Sequence, residues 1–252
     1  MGTAMITGAS SGLGLEFAWQ LAAARHDLVL VARDQAKLTA HGDRLRAAAG
    51  VDVQIIRADL SKRTQLNKLV ERLEDTSKPV GLLVNNAGFG YASAFLDTPI
   101  SQSEQAMDVM MRAVMVLSQA AAKQMVARGR GAILNVSSIA TYTAAGPYSA
   151  AKAWVTSFTE SLAVELSGTG VSATAVLPGL TRTDFHARAG IDVERFPELA
   201  WLNPSDVVAR ALADVRRGAV LSIPSVRYGL LGQLAHIAPR WLIRAVSVPW
   251  QR

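Results

Sequence analysis

Within its first two dozen residues the chain passes from a short apolar run, Thr3 to Ile6, into Thr7-Gly8-Ala9-Ser10-Ser11-Gly12-Leu13-Gly14 and then into a helical stretch, Leu15 to Ala24. A strand, a glycine turn and a helix in that order leave few folds open. Glycines let the backbone approach a pyrophosphate closely, and the helix start aims unpaired N–H groups and a favourable dipole at the same point. Gly8, Ser10, Ser11, Gly12, Leu13 and Gly14 are therefore the expected lining of a phosphate site. Their spacing is G-x-x-x-G-x-G, not the commoner G-x-G-x-x-G. Glycine turns also serve plain strand-to-helix connections, so the rest of the chain has to decide between the two.

Strand and helix patterns then alternate. Leu28 to Ala32, Val53 to Arg57 and Leu82 to Val84 read as buried strands, separated by helical stretches over Gln35–Ala49 and Gln65–Leu73. That rhythm predicts an α/β fold, a doubly wound parallel sheet with helices on both faces and ligands at the carboxyl ends of the strands. The residue ending the second strand bears on cofactor choice. An acid there accepts from the ribose hydroxyls of NAD, whereas an arginine clasps a 2′-phosphate. Arg33 favours NADP(H), and Asp34 next door keeps NAD(H) as the alternative. Asp59, followed by Leu60 and Ser61, either accepts from an adenine amino group or caps the next helix. In Asn85-Asn86-Ala87-Gly88 the amides can tie neighbouring strand ends while Gly88 permits backbone contact with a cofactor, and Asn85, Ala87 and Gly88, with Leu60, Pro178 and Gly179, are further residues expected at that cofactor.

The chemistry is expected between a strand, Ala132 to Val136, and a helix, Ala150 to Leu166. Gly146-Pro147 marks the helix start, because proline tolerates only the first turn. Tyr148 and Lys152 then lie four apart on one helical face. A phenol titrates near pH ~10, and a neighbouring cation favours the phenolate, so the pair is expected to bring Tyr148 toward the range of a useful general acid/base. Tyr-x-x-x-Lys arises by chance in many helices, yet of the four tyrosines only Tyr148 has the lysine. Ser138, at the strand end, is placed to hold a carbonyl or alcohol oxygen beside that phenol. A later strand, Val171 to Leu177, runs into Pro178-Gly179-Leu180-Thr181-Arg182-Thr183, where Thr183 either binds a nicotinamide carboxamide or caps a helix. Residues 184–202, with Phe185, His186, Phe196 and Trp201, suit a movable substrate lid. A helix from Pro204 to near Gly218 and a last strand, Ala219 to Ile223, follow.

Composition narrows the alternatives. The chain of 252 residues is half apolar, enough for the core of one large domain. It has no cysteine, which removes disulfides and thiolate chemistry, and its four histidines show no metal-ligand spacing. No secretory signal and no membrane-spanning apolar run is evident, so a soluble cytoplasmic protein is expected. The net charge of +6 does not point to nucleic acid: residues 1–214 balance 20 basic against 20 acidic groups, and the excess is six arginines beyond Asp214 that meet no acid in the tail, read first as a solvated face and otherwise as suited to a membrane surface or an acidic partner. Leu230, Leu231, Leu234, Ile237, Trp241, Leu242 and Val246 recur there at mostly three- and four-residue steps, interrupted by Pro239. Residues 225–252 are thus expected to form two short amphipathic helices that close a lipophilic pocket, pack on a partner chain, or contact a membrane peripherally together with Trp250.

Taken in order, Thr7-Gly8-x-x-x-Gly12-x-Gly14, Asn85-Asn86-Ala87-Gly88, Ser138, Tyr148-x-x-x-Lys152 and Pro178-Gly179 resemble the short-chain dehydrogenase/reductase family over residues 3 to about 224. The resemblance implies a Rossmann-type sheet of about seven strands in a single domain, residues 1–224, and an NAD(P)-linked interconversion of a small-molecule carbonyl and alcohol. It implies homodimers or homotetramers built from the methionine-rich stretch Ser101–Arg128 and the Tyr148 helix. It also assigns Tyr148 as acid/base, Lys152 as ribose-binding residue and tyrosine tuner, and Ser138 as oxygen-binding partner. The chain departs from the family in two places. Met110 stands where a catalytic asparagine is expected, and a thioether cannot hold the helix kink and water attributed to that amide. Ser138 precedes Tyr148 by only ten residues, which leaves Ser137 as an alternative functional serine. The competing function is a dinucleotide-binding sensor or scaffold that has lost turnover.

Overall fold

The computed structural model describes residues 2–90, 94–190, 192, 194 and 196–247. Among them seven strands form one parallel sheet: β1 (Thr3–Thr7), β2 (Asp27–Ala32), β3 (Val53–Arg57), β4 (Val80–Asn85), β5 (Gly131–Val136), β6 (Val171–Val176) and β7 (Leu221–Ser222). Their order is β3-β2-β1-β4-β5-β6-β7. The winding reverses between β1 and β4, so the crevice for a ligand opens beyond the carboxyl ends of those two strands. The helices are α1 (Gly12–Ala23), α2 (Gln35–Ala49), α3 (Arg63–Glu74), α4 (Ile100–Met107), α5 (Ala113–Ala127), α6 (Gly146–Glu165), α7 (Phe185–Arg188), α8 (Pro204–Arg216), α9 (Val226–Ile237) and α10 (Arg240–Ser247).

Alternation along each strand sends side chains to opposite faces, and both faces are buried. Ala4, Ile6, Leu28 and Leu30 pack with Phe17, Leu38 and Val208 of α1, α2 and α8. Met5, Val29, Val31 and Leu83 pack with Leu66 and Leu117 of α3 and α5. The two cores flank the sheet and hold its strand ends rigid.

Beneath the crevice lies a buried polar chain. Asn85 and Asn135 are register partners in β4 and β5. The Asn85 amide donates to Asn135 Oδ1 at 2.9 Å and to Ser118 Oγ at 3.1 Å, and the Asn135 amide donates to Thr159 Oγ1 at 2.9 Å. Leaving one such group unpaired costs about 1–3 kcal/mol. Satisfied, the chain locks β4, β5, α5 and α6 into one relative position.

The methionine-rich stretch is not one continuous α-helix. Between α4 and α5 the chain makes a turn of π-helix over Asp108–Arg112, with Met110 buried within it. A kink at this place therefore does not require an amide at position 110. Arg112 secures it, pairing with Asp108 at 2.8 Å and donating to the Ser61 carbonyl at 2.9 Å, which ties the turn to the loop before α3.

Candidate active site

At the end of β1 the backbone turns at Gly8 with φ of +68°, a conformation that side chains strain. A Cβ at Gly14 would collide with the Gly8 carbonyl oxygen and the Asn86 amide. Gly14 thus exists for close packing of α1 on the turn. The Asn86 amide donates to the Thr7 carbonyl at 2.9 Å, and the Thr7 hydroxyl accepts from the N–H groups of Asn86 and Ala87 at 2.9 and 3.0 Å. These bonds clamp the ends of β1 and β4 together. Ser11, the residue before α1, makes no side-chain bond to the N–H groups of the first turn, which leaves them directed at the crevice for an anion. Its hydroxyl instead accepts from Arg188 Nη1 of α7 at 2.9 Å.

At the neighbouring strand end, the Asp34 carboxylate caps α2, accepting from the Lys37 N–H at 3.0 Å, and lies 3.9 Å from Lys37 Nζ. Arg33 is exposed and faces the cavity together with Lys37. Asp59 makes a local turn, accepting from the N–H and hydroxyl of Ser61 at 3.0 and 2.8 Å, while α3 is preceded by Lys62. Asp59 therefore does not cap α3.

Across the crevice, α6 starts at Gly146 with Pro147 in its first turn. Lys152 is buried, donates from Nζ to the Val136 carbonyl at 2.8 Å and lies 5.7 Å from the centre of the Tyr148 ring. The two adjacent serines separate in role. Ser137 is buried, with its hydroxyl 2.8 Å from the Lys152 carbonyl and 2.7 Å from Thr156 Oγ1, so it fastens β5 to α6. Ser138 accepts from the Ala140 N–H at 3.1 Å and stands beside the Tyr148 phenol, favouring its ionised form. A tight helical turn over Ile139–Tyr142 takes up the ten-residue spacing, so the short loop does not keep Ser138 from Tyr148.

The electrostatics differ from what the Tyr148–Lys152 spacing alone suggests. Burial pushes the phenol up to about 12, against the opposing pull of the Ser138 hydrogen bond. Burial also pulls the Lys152 ammonium down to about 8. Desolvation of the phenolate outweighs the attraction of a cation that is itself buried and engaged by a carbonyl. Tyr148 is thus a protonated phenol at neutral pH.

One cavity of about 1820 Å³ joins the glycine turn, Arg33, Asp59, Leu60, Ala87, Gly88, Ser138, Tyr148, Lys152, Pro178, Gly179 and Thr183. Two residues expected at a cofactor do not line it. Gly14 is packed beneath the turn, and the Asn85 side chain points into the polar chain described above; Asn86 lines the wall in its place. Thr183 accepts from the Phe185 N–H at 3.3 Å from one residue ahead of Asp184, the cap position of α7, and it also faces Gly12.

The chain matches the short chain dehydrogenase family over residues 2–193. It belongs to the short-chain dehydrogenase/reductase family. Three solved structures of high likeness are a short-chain dehydrogenase from Sphingobium yanoikuyae in complex with NADPH, a bulky-bulky ketone specific alcohol dehydrogenase from Comamonas testosteroni, and a family member from Burkholderia phymatum in complex with NAD. The first is 36% identical, with 94% of each chain covered and a TM-score of 0.85. The second is 30% identical, covering 94% of this chain and 92% of that one, with a TM-score of 0.82. The third is 26% identical, covering 96% and 95%, with a TM-score of 0.84. This family member is accordingly an oxidoreductase acting on alcohol and carbonyl groups with a nicotinamide dinucleotide.

In this short-chain dehydrogenase/reductase, several wall residues carry no sequence motif. Arg188 reaches the glycine turn from α7. From the C-terminal helices, Tyr228, Leu231, Gly232, Ala235, Ile243 and Ser247 line the cavity. The Tyr228 ring covers Gly179 so closely that no Cβ fits there, and its hydroxyl donates to the Ala200 carbonyl at 2.8 Å. Ser247 accepts from the Ala144 N–H at 3.0 Å, which fastens α10 to the loop before α6. The stretch 184–202 contains α7 and a single helical turn at Glu198–Ala200; Ile191, Val193 and Arg195 lie outside the described residues. Trp250 and the Val246 side chain also lie outside them.

Proposed function

We propose that this chain is an NADP(H)-dependent reductase of bulky apolar ketones or aldehydes, and of the corresponding alcohols in reverse, with Tyr148 as general acid/base. The observation that carries the proposal is that Ser138, Tyr148 and Lys152 share one cavity with a glycine turn whose helix N–H groups are left for an anion. The fit to a dinucleotide rests on that uncapped helix start, on the close-packed glycines, and on the cations Arg33, Lys37 and Arg188 along the same wall. When bound, the cofactor supplies or accepts a hydride at the substrate carbon. Tyr148 donates its phenolic proton to the carbonyl oxygen in reduction and takes it back in oxidation. Ser138 holds that oxygen by hydrogen bonding, and Lys152 steadies the phenolate and binds the cofactor ribose.

Preference for NADP(H) is supported by the neighbouring strand end. Asp34, the acid that would recognise a free ribose diol, lines the same cavity but has one carboxylate oxygen engaged as the cap of α2, and Arg33 stands beside it on that wall. The apolar substrate class is supported by the Leu231, Tyr228 and Ile243 side of the cavity. Absorbance loss from NADPH with purified protein and a panel of ketones graded by size tests the activity. Titration of NADPH and NADH against the wild type and Arg33→Ala tests the preference. NADPH is expected to bind more tightly, and Arg33→Ala to weaken it about tenfold while leaving NADH unchanged. Equal affinities in the wild type refute the preference.

A dinucleotide-binding sensor is the second reading, and the observation in its favour is Met110. Its thioether fills the space beside Gly88, with Cγ and Sδ 3.5 Å from where a Cβ on Gly88 would lie, and Lys152 Nζ adjoins the same point at 3.6 Å. No amide is available there to order a water for proton relay.

A further inference from the structure

We infer that the outer face of the C-terminal helices docks this protein on an anionic lipid surface. On α9, Val226, Leu230, Leu234 and Ile237 follow one another at steps of four, four and three, which puts them on one stripe. Leu230 is 59% exposed and Ile237 78%, and Trp241 at the start of α10 continues the stripe at 65%. The inner face of α9, with Tyr228, Gly232 and Ala235, is already used as cavity wall. A helix apolar on both faces needs cover on both. Nothing in the chain among the described residues covers the outer one.

Charge selects the occupant. Beyond Asp214 the sequence has six arginines and no acid; Arg217 pairs back to Asp214 and Arg227 donates to the Leu199 carbonyl, so the free charge next to the stripe is that of α10. Arg240 and Arg244 flank Trp241 on α10, both exposed, and neither makes an ion pair among the described residues. A second copy laid on the same stripe would bring arginines against arginines. Self-association has other exposed apolar places to use, at Met115 and Val126 on α5 and Val164 on α6. An apolar stripe with tryptophan, edged by cations without counter-charges, matches the interfacial zone of an anionic bilayer. No described helix is long and apolar enough to cross a membrane, so the contact is peripheral. Leu231, half exposed, belongs both to this face and to the cavity wall. The docked protein therefore turns the mouth of its cavity toward the lipid.

The full chain is sedimented with vesicles of phosphatidylcholine alone and with vesicles holding one-third phosphatidylglycerol, at low and high salt, with its mass measured in parallel. Binding is expected only to the anionic vesicles and is expected to fall with salt. The double variant Arg240→Glu/Arg244→Glu, checked for a wild-type melting profile, should bind at least tenfold less, and Leu230→Gln/Ile237→Gln should lose binding without any change in mass. No vesicle binding by the wild type, equal binding to both vesicle types, or a stripe variant that lowers the mass of the assembly overturns the proposal; the last assigns the stripe to a second copy. Vesicle binding is read without turnover, so failure of the proposed reaction leaves this test standing.

Discussion

The glycine turn and the C-terminal helices wall the same cavity by opposite means. The turn is held by directional bonds among Thr7, Asn86 and Ala87 and by glycines with no room for another atom. The tail is held mainly by apolar contact and the Tyr228 ring on Gly179, with a few side-chain bonds from Arg227, Tyr228 and Ser247, and Leu230, Leu234 and Ile237 face outward. A site that must accept an unvarying dinucleotide is built from backbone, whereas the wall that meets the variable substrate is built from replaceable side chains. Tyr148 stands in the cavity where both walls meet.

The largest expected effect lies at that meeting point. Tyr148→Phe should lower turnover by about 10²–10⁴-fold and leave dinucleotide affinity nearly unchanged, as read by initial rates against fluorescence titration; wild-type turnover would remove Tyr148 from the chemistry. Burial pushes the phenol up to about 12 and pulls the ammonium down to about 8. The acid form of Tyr148 is therefore present throughout neutral pH. Reduction should be flat up to about pH 8 and fall above it as Lys152 loses its proton, while oxidation, which needs the phenolate, should rise across the same range.

Next in size is the contrast between two glycines. Gly14→Ala puts a methyl group into the Gly8 carbonyl, which can give way only by moving the turn, so a loss of about 3 kcal/mol and of dinucleotide binding is expected in thermal melts and titration. Gly229 in α9 has nothing within 4 Å of a built Cβ. Gly229→Ala should therefore stabilise the helix by up to about 1 kcal/mol, with binding unaltered. If the α9 variant proved as damaging as the turn variant, the tail would be as tightly fitted as the turn and the comparison would break.

The smallest effect is expected at Met110. Met110→Asn restores an amide beside Gly88 and Lys152 and should raise turnover by roughly tenfold or less, a fraction of what a positioned acid contributes, with KM unchanged. Buried polar atoms there cost about 1–3 kcal/mol if unpaired, so the melt is recorded alongside. Unchanged turnover in a folded variant would mean that the proton travels by another route.

The residues legible in the sequence are those whose role depends on local geometry. Gly8 and Gly12 announce a turn, Arg33 announces a charge at a strand end, and Tyr148 with Lys152 announces a helical face. Strand β3 and helix α2 fall within the bounds that periodicity predicts, because their apolar residues face a packed core. What could not be read depends on contacts between distant segments. The Asn85 and Asn86 amides tie strand ends as expected, but Asn85 loses its expected place at the cofactor because the register with Asn135 turns its amide inward. Arg188 meets Ser11 across 177 residues, and Tyr228 fits Gly179 only because β6 and α9 are brought together. The upward shift of the Tyr148 phenol was hidden for the same reason, since burial is a property of the assembled fold.

The π turn at Asp108–Arg112 carries a consequence for how this segment can vary. One extra residue in a helix rotates everything beyond it by about 100°. Gln102 and Gln105 before the turn face the cavity, Val109 within it touches both cavity and core, and Leu117, Ala121 and Met125 after it face the sheet. The turn thus works as a phase shifter, allowing one rod to serve two walls that a uniform helix would not address together. Removing a single residue between 108 and 112 would put either the glutamines into the core or the leucine and methionine into the substrate space, so this stretch should tolerate changes of side chain far better than changes of length.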